Sequence, residues 1–329
     1  MPDPAKPLRL LVVGFGGIAA AYHQALQRSP ALRLEAVVEP DAARLTPADA
    51  PRFASLAAYW QSGVAADAAL VLTPPATHEA IALELLGHGL HVLCEKPLAP
   101  TIAGAKRMLA AARAAERRLM LGSKFRYTPD VIAAQRLLRA GACGDAVLYE
   151  NVFCSHVDMT RRWNALPEQS GGGVLIDNGC HSVDVARFLL GPIARVQAMF
   201  GRKAQPLAVE DTARLLFTSQ GGALGSIDLS WSMHKETDSY VRIHGTKGTL
   251  EVGWKASRWK PVGGEWRRFG DGYDKIAAFA GQLADFAAAT AGAPGAIEDG
   301  DALASVVVID AAYRSAREAR WIDVLEGAR

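Results

Sequence analysis

Apolar residues in the first third of the chain fall into short runs separated by segments with helical periodicity. The runs at 8–13 and 68–72 are typical of strands buried on both faces of a parallel sheet. The predicted strands are 8–13, 32–38, 53–56, 68–72, 91–94 and 119–121, and the predicted helices are 16–27, 76–88 and 101–117. This alternation indicates right-handed crossovers, so we predict a doubly wound Rossmann domain over residues 1–122.

The pattern changes after residue 122. Strand-like segments follow one another with few helices between them, which indicates a large open, mostly antiparallel sheet. The predicted strands are 146–155, 193–200, 212–218, 222–232, 240–244 and 249–252, and the predicted helices are 128–140, 176–190, 274–291 and 302–320. We therefore predict an α/β protein whose second domain, residues 123–329, binds the substrate and mediates oligomerisation.

Composition excludes several classes of partner and site. The chain of 329 residues is 50% hydrophobic and 21% charged, with a net charge of +2, so neither nucleic acid nor a membrane surface is an expected partner. No apolar run approaches the roughly 20 residues that span a bilayer, and residues 1–7 do not resemble a signal peptide. The cysteines lack metal-ligand spacing, so we expect no metal site and a reducing cytoplasm. These cysteines are Cys94, Cys143, Cys154 and Cys180.

A glycine-rich loop follows the first predicted strand and opens a helix, the context in which such a loop binds a dinucleotide. Its residues are Gly14, Phe15, Gly16, Gly17 and Ile18. The alternative is an ordinary tight turn. Glu39 ends the second strand about 20 residues later, where its carboxylate can accept hydrogen bonds from both hydroxyls of an adenosine ribose. That charge favours NAD, while Arg44 leaves NADP possible.

Two further segments carry candidate catalytic groups. Lys96 follows the strand 91–94, at the edge of an open sheet that binds ligands, and a lysine there can stabilise a developing alkoxide. Asp177 and His181 lie four residues apart, so a helix places them on one face, and His181 can act as a general base. The glycines at 171–173 suggest a flexible entry to that helix. The alternatives are a solvated lysine, a helix-capping aspartate and a core histidine.

Together these segments resemble the glucose–fructose oxidoreductase/inositol dehydrogenase family of nicotinamide-dependent enzymes. The similarity runs over nearly the whole chain and is carried by GFGGIA, VLTPPATHEAIALELLGHGLHVLCEKPLA, GGGVLIDNGCHSVDVARFLLG and VRIHGTKGTLEV. It implies a Rossmann domain followed by an α/β domain with a large open sheet. It also implies that Lys96, Asp177 and His181 act at the substrate.

The resemblance assigns further residues to the cofactor and the substrate. Besides the glycine loop and Glu39, those implied for the cofactor are Thr73, Pro74, Pro75, His78, Glu95, Lys96, Lys124, Trp163 and Tyr273. Besides the catalytic residues, those predicted for the substrate are Arg126, His156 and Trp163, with Phe125 and His234 as further candidates for the pocket wall. Three positions depart from the family's pattern. Pro75 replaces a commoner Asn, Asn164 replaces Arg, and Lys124 adds a cation near the hydride-transfer region. These departures weaken any inference about substrate preference.

The resulting prediction is an NAD(P)-dependent oxidoreductase. It transfers a hydride between nicotinamide and a secondary alcohol or ketone of a sugar, inositol or sugar derivative. Two alternatives stay open: a reductase acting on a keto-sugar or a non-sugar substrate, and a non-catalytic dinucleotide-sensing regulator. Apolar segments of the second sheet predict a homodimer or homotetramer.

Overall fold

The chain divides into two compact units. A computed structural model of the protein describes residues 7–44, 47 and 50–324, so the predicted lack of a signal peptide concerns residues that lie mostly outside this description. The first unit comprises Met1–Lys124 and Lys275–Leu303, and the second comprises Phe125–Asp274 and Ala304–Arg329. The predicted domain boundary, between residues 122 and 123, lies two residues before the point at which the chain passes from the first unit to the second, between Lys124 and Phe125. The helix at 275–290, however, groups with the first unit, and the division of functions between the domains stays a prediction.

The first unit contains a six-stranded sheet in which every pair of neighbouring strands is parallel. The strands are β1 (Leu8–Val13), β2 (Leu32–Val38), β3 (Arg52–Phe53), β4 (Ala68–Val71), β5 (His91–Glu95) and β6 (Leu119–Gly122). Their order is β3-β2-β1-β4-β5-β6, so the direction of winding reverses between β1 and β4. Ligands bind at such a switch point, beyond the carboxyl ends of the strands. The predicted Rossmann architecture is confirmed.

Five helices belong wholly to this unit within the described residues. They are α1 (Ala19–Leu26), α2 (Leu56–Ser62), α3 (His78–Gly87), α4 (Ile102–Ala114) and α8 (Lys275–Thr290). The prediction of a strand over 53–56 was partly wrong, because the Ser55 hydroxyl accepts a hydrogen bond from the Ala58 amide and so caps α2. Helix α8 packs on α1, where the Tyr22 and Phe279 rings lie 4.1 Å apart between centroids.

The second unit contains a nine-stranded sheet. Its strands are β7 (Ala146–Cys154), β8 (Ile193–Phe200), β9 (Thr212–Ser219), β10 (Leu224–Ser230), β11 (Ser239–Gly245), β12 (Gly248–Gly253), β13 (Ser257–Pro261), β14 (Arg267–Gly270) and β15 (Ile322–Asp323). They are ordered β14-β13-β12-β11-β7-β10-β9-β8-β15. Within the described residues of this second sheet, only the central pair β7 and β10 is parallel. The predicted large, mostly antiparallel sheet is confirmed, although β13, β14 and β15 were not predicted.

One long helix covers this sheet. The helices of the second unit are α5 (Pro129–Arg139), α6 (Pro167–Ser170), α7 (Val174–Leu190) and the larger part of α9 (Asp299–Glu318). Helix α7 packs on β7, β9 and β10 and is buried over most of its length. Its position over the centre of the sheet gives the candidate catalytic residues Asp177 and His181 a firmly packed helix.

Two further findings concern the whole described chain. None of its helices is long and apolar enough to cross a membrane. The four cysteines, all within the described ranges, form no disulfide, and burial raises the pKa of Cys154 to about 11.

Candidate active site

The glycine loop joins β1 to α1 at the switch point of the first sheet. Gly14 has a φ of +88°, and a Cβ at this position would lie 2.9 Å from Cγ2 of Thr73. Only glycine satisfies both the backbone conformation and this close approach to the loop after β4. The Gly14 amide donates to the Val38 carbonyl at 2.8 Å, which joins the loop to the end of β2.

The surroundings of the next two glycines fit a dinucleotide. A Cβ added at Gly17 would meet no protein atom within 4 Å, and one at Gly16 would meet only the Arg44 guanidinium, at 3.8 Å. The space beside the loop is therefore open, and it lies at the N-terminus of α1, where amide groups favour a phosphate. Phe15 and Ile18 are half-buried beside it. The residues present thus fit the pyrophosphate of NAD.

Glu39 follows β2 and is buried. Its carboxylate accepts hydrogen bonds from the Phe15 amide at 2.6 Å and from the Asp41 amide at 2.9 Å. A carboxylate has about four acceptor positions, so it retains capacity for ribose hydroxyls. Arg44 lies 3.6 Å from the Asp41 carboxylate, as an exposed ion pair beside the loop.

His78 connects two loops of the first unit. Its buried ring has Nδ1 2.8 Å from the Pro97 carbonyl oxygen and Nε2 2.8 Å from the Thr73 carbonyl oxygen. Burial lowers the pKa of His78. Both ring nitrogens face backbone carbonyl oxygens. This arrangement favours a structural role, in which His78 holds the two loops together, and not the contact with the cofactor that was predicted above. Pro74 and Pro75 lie in the same loop, ahead of α3.

Lys96 directly follows β5 and is half-buried. Its peptide bond to Pro97 is cis. The preceding residue, Glu95, is buried and accepts a hydrogen bond from the Tyr22 hydroxyl at 2.6 Å. Lys124, which begins a 3₁₀ turn two residues after β6, places its ammonium 5.5 Å from the centre of the Phe279 ring on α8.

Asp177 and His181 lie one turn apart on α7. The residue at the N-cap is Gly173, and Asp177 lies within the first turn of the helix, so the alternative of a capping aspartate is wrong. The Asp177 amide donates to the Gly173 carbonyl at 3.1 Å, which places Asp177 in regular helix. Asp177 is half-exposed, whereas His181 is buried.

Sequence reasoning missed the residue that holds the start of α7. One oxygen of the buried Glu210 carboxylate accepts from the Gly173 amide at 3.0 Å, the Leu175 amide at 3.1 Å and the Tyr313 hydroxyl at 2.7 Å. A Cβ at Gly173 would lie 2.0 Å from the Glu210 carbonyl oxygen. The glycines before α7 thus make room for protein atoms, which differs from the flexible entry predicted. No local pattern signalled a contact across 37 residues.

The His181 ring contacts Phe125, which belongs to an aromatic cluster. The Phe125 ring meets His181 edge to face, with centroids 5.1 Å apart, and stacks on Tyr273 at the same separation. Phe153 and Tyr240 pack on Phe125 at 4.9 and 5.7 Å. Such packing restricts the imidazole to few orientations, a property expected of a general base.

Arg126 forms a buried ion pair with Asp184. Its Nε lies 2.9 Å from both carboxylate oxygens and its Nη2 lies 2.7 Å from one of them. Asp184 is on α7, three residues after His181, so the pair fixes the helix against the turn that contains Phe125. This arrangement favours a structural role for Arg126 over the predicted contact with substrate.

The other predicted pocket residues are exposed. Trp163 lies in a 3₁₀ turn, His156 in the loop after β7 and His234 in the loop after β10. Lys96 belongs to the first unit, and Asp177 and His181 belong to the second. The joint action of these three residues therefore stays a prediction.

Comparison with known families agrees with this geometry. Residues 8–123 match the family model described as "Oxidoreductase family, NAD-binding Rossmann fold", and residues 131–251 match the model for the GFO/IDH/MocA C-terminal domain. The chain belongs to the GFO/IDH/MocA oxidoreductase family. The predicted resemblance is confirmed, and with it the NAD-binding character of the first unit.

Individual members of the GFO/IDH/MocA family align over most of the chain. D-apiose dehydrogenase of Rhizobium rhizogenes is 25% identical, covering 77% of this chain and 78% of its own. Inositol 2-dehydrogenase of Rubrobacter xylanophilus is 28% identical, with coverages of 77% and 73%. The alignments with several other relatives span about half of those proteins.

A solved structure of the same architecture is that of GenD2 from gentamicin A biosynthesis, in complex with NAD. It is 27% identical, has a TM-score of 0.84, and the match covers 98% of this chain and 97% of that one. The agreement extends over both the parallel and the mixed sheet.

We predict that replacing Glu210 by alanine destabilises the second unit. The change leaves two amides at the start of α7 and the hydroxyl of the half-buried Tyr313 without their acceptor, so the free energy of unfolding should fall by about 3 kcal/mol. Urea denaturation followed by circular dichroism measures it. Glu210→Gln retains a carbonyl oxygen and should lose less than half as much. Equal stability of Glu210→Ala and the wild type would contradict the assignment of this cap.

Proposed function

We propose that the protein is an NAD-dependent dehydrogenase that oxidises a secondary alcohol of a sugar, inositol or sugar derivative, or reduces the corresponding ketone. Its relatives include proteins named D-apiose dehydrogenase and inositol 2-dehydrogenase, which supports this class of substrate. We also propose the cytoplasm as its compartment, in keeping with cysteines that form no disulfide.

The observation that carries the proposal is the Asp177–His181 pair on α7. The helix is capped by Glu210 and fixed by the Arg126–Asp184 ion pair, and the His181 ring is held by Phe125. A histidine that only packs in a core has no need of a partly exposed carboxylate one helical turn away, such as that of Asp177. A general base benefits from both a fixed ring and a nearby group that binds hydroxyls.

The mechanism assigns one role to each candidate residue. The dinucleotide, when bound, supplies the group that takes up or returns the hydride. His181 takes the proton of the substrate hydroxyl on an imidazole nitrogen. The Lys96 ammonium donates to the same oxygen and stabilises the negative charge that develops on it. The Asp177 carboxylate accepts from a neighbouring hydroxyl and so orients the ring of the substrate.

Substitution of Lys96 and His181 tests the mechanism. Lys96→Ala and His181→Ala should each lower turnover by roughly 10²–10⁴-fold, because each removes charge stabilisation or proton transfer. The measurement is absorbance of the reduced nicotinamide over a panel of sugars, inositols and sugar derivatives, with NAD and NADP.

Lys106→Ala and His88→Ala are the matched controls, since both side chains are exposed on other parts of the first unit. These variants should keep full activity. Undiminished turnover in both test variants would refute the assigned roles, and oxidation of no compound in the panel would refute the substrate class.

Cofactor preference should depend on Glu39. A 2′-phosphate would face this carboxylate, so NADH should bind more tightly than NADPH. Glu39→Gln removes the charge and keeps an oxygen acceptor, and it should shrink that preference about tenfold or more, the effect of about 1.4 kcal/mol. Titration calorimetry gives both dissociation constants without any substrate.

Glu35→Gln, on the same strand and paired with Arg33, serves as the control and should leave the preference unchanged. A wild-type protein that binds NADPH more tightly would assign the dominant role to Arg44 and overturn the proposed role of Glu39.

We further propose that the protein is a homodimer or homotetramer that associates through the second sheet. Leu148 on β7 and Leu224 on β10 are register partners, and they are 45% and 54% exposed. Sedimentation at micromolar concentration should show a species larger than the 35.0 kDa chain. The double variant Leu148→Glu, Leu224→Glu should dissociate it. A wild-type protein that sediments only as the single chain would exclude this association.

A further inference from the structure

We propose that Tyr22 is a positioning residue for Lys96: its hydroxyl, held by Gln282, fixes the Glu95 carboxylate, which in turn holds the backbone of Lys96. The catalytic consequence of this inference rests on the proposed function of Lys96. The structural part does not, because all four residues belong to the first unit.

The contacts form an unbroken chain. Gln282 Nε2 on α8 donates to the Tyr22 hydroxyl on α1 at 2.7 Å. That hydroxyl donates to Glu95 Oε1 at 2.6 Å. The other carboxylate oxygen, Oε2, accepts from the Lys96 amide at 3.0 Å. Tyr22, Glu95 and Gln282 are all buried, so water does not substitute for a lost partner.

The direction of the donors follows from the carboxylate. An ionised carboxylate only accepts, so the single Tyr22 proton points to Glu95, and the Tyr22 oxygen must then accept from Gln282. Burial, and next the Glu95 charge, raise the pKa of Tyr22 well above its ordinary value, which keeps the donor protonated. A hydrogen bond from a neutral donor to a buried charge is shorter and stronger than one between neutral groups.

Packing keeps Tyr22 in place. Its ring lies against Phe279 on α8, with centroids 4.1 Å apart, and Gln282 follows Phe279 by three residues on that helix. The ring contact and the amide contact therefore come from one helix face. Residues 282 and 22 are 260 positions apart, so the fold brings the C-terminal part of the chain to the segment that carries Lys96.

The test is Tyr22→Phe, which removes the hydroxyl and retains the ring. Without its donor the Glu95 side chain is free to turn, and hydrogen exchange of the Lys96 amide in the protein without cofactor should accelerate about tenfold or more. Turnover should fall about tenfold, and KM for the substrate should stay within about twofold, since the change displaces Lys96 in the chemical step. Pro97 has no amide hydrogen, so it adds no exchange signal of its own next to that of Lys96.

The matched control is Tyr59→Phe. Tyr59 is also fully buried in the first unit, where its ring packs on Phe53 and Trp60, and loss of its hydroxyl should change neither readout. Gln282→Met provides a second variant should Tyr22→Phe not fold. It leaves the Tyr22 donor on Glu95, so it should accelerate exchange by only about twofold to threefold, and combining both changes should add nothing to Tyr22→Phe.

Each outcome bears on the proposal. Unchanged exchange at Lys96 in Tyr22→Phe overturns it, whatever the activity. If Tyr22→Phe exchanges the Lys96 amide faster but keeps full turnover, the catalytic part is overturned. The Glu95 carboxylate would then hold the Lys96 backbone without any effect on the reaction. If the wild-type protein oxidises no compound in the panel, the proposed function fails, and the exchange measurement alone still decides whether Tyr22 positions Lys96.

Discussion

Burial of a carboxylate in a protein interior is costly unless donors surround it, and three buried glutamates of this chain, two in the first unit and one in the second, meet that requirement. Glu39, Glu95 and Glu210 are 6%, 6% and 9% exposed. Each accepts a backbone N–H from a segment that carries a candidate function: the glycine loop, Lys96 and the start of α7. Because each buried carboxylate must be hydrogen-bonded, it holds in place the backbone of the segment that supplies its donor. Tyr22 and Tyr313 supply further donors to two of the three.

Much of the fold could be predicted because its signals are local. A strand buried on both faces is a run of apolar residues, and a glycine loop after such a run marks the binding edge of the sheet. The edge strand β14 and its neighbour β13 are short and rich in arginine and lysine, with Arg258 opposite Arg268 in register, so hydrophobic periodicity does not reveal them. The association of α8 with the first unit depends on contacts such as Gln282 with Tyr22, which no local pattern contains.

The candidate site was predicted as residue types but not as contacts. The sequence motifs identified Lys96, Asp177 and His181, and the structure describes the environment of each. It does not establish their roles, which stay predictions. The function of Glu210 had no sequence signal, because its partners lie 35 or more residues away and a buried glutamate looks like a surface one in sequence. Burial and long-range pairing are properties of the fold.

Residue type alone does not show which polar groups are engaged inside the protein, as Arg126 and His78 illustrate. Both were predicted to contact a ligand, yet Arg126 is committed to Asp184 and both His78 nitrogens face backbone carbonyls. A group whose bonding capacity is taken up inside the protein has little left for a ligand, whereas Asp177 and Lys96 remain partly accessible. The chain thus separates two kinds of polar residue. Buried Arg126, His78 and Glu210 pair with backbone or side-chain groups of neighbouring segments, and the partly exposed Asp177 and Lys96 are proposed to meet the substrate.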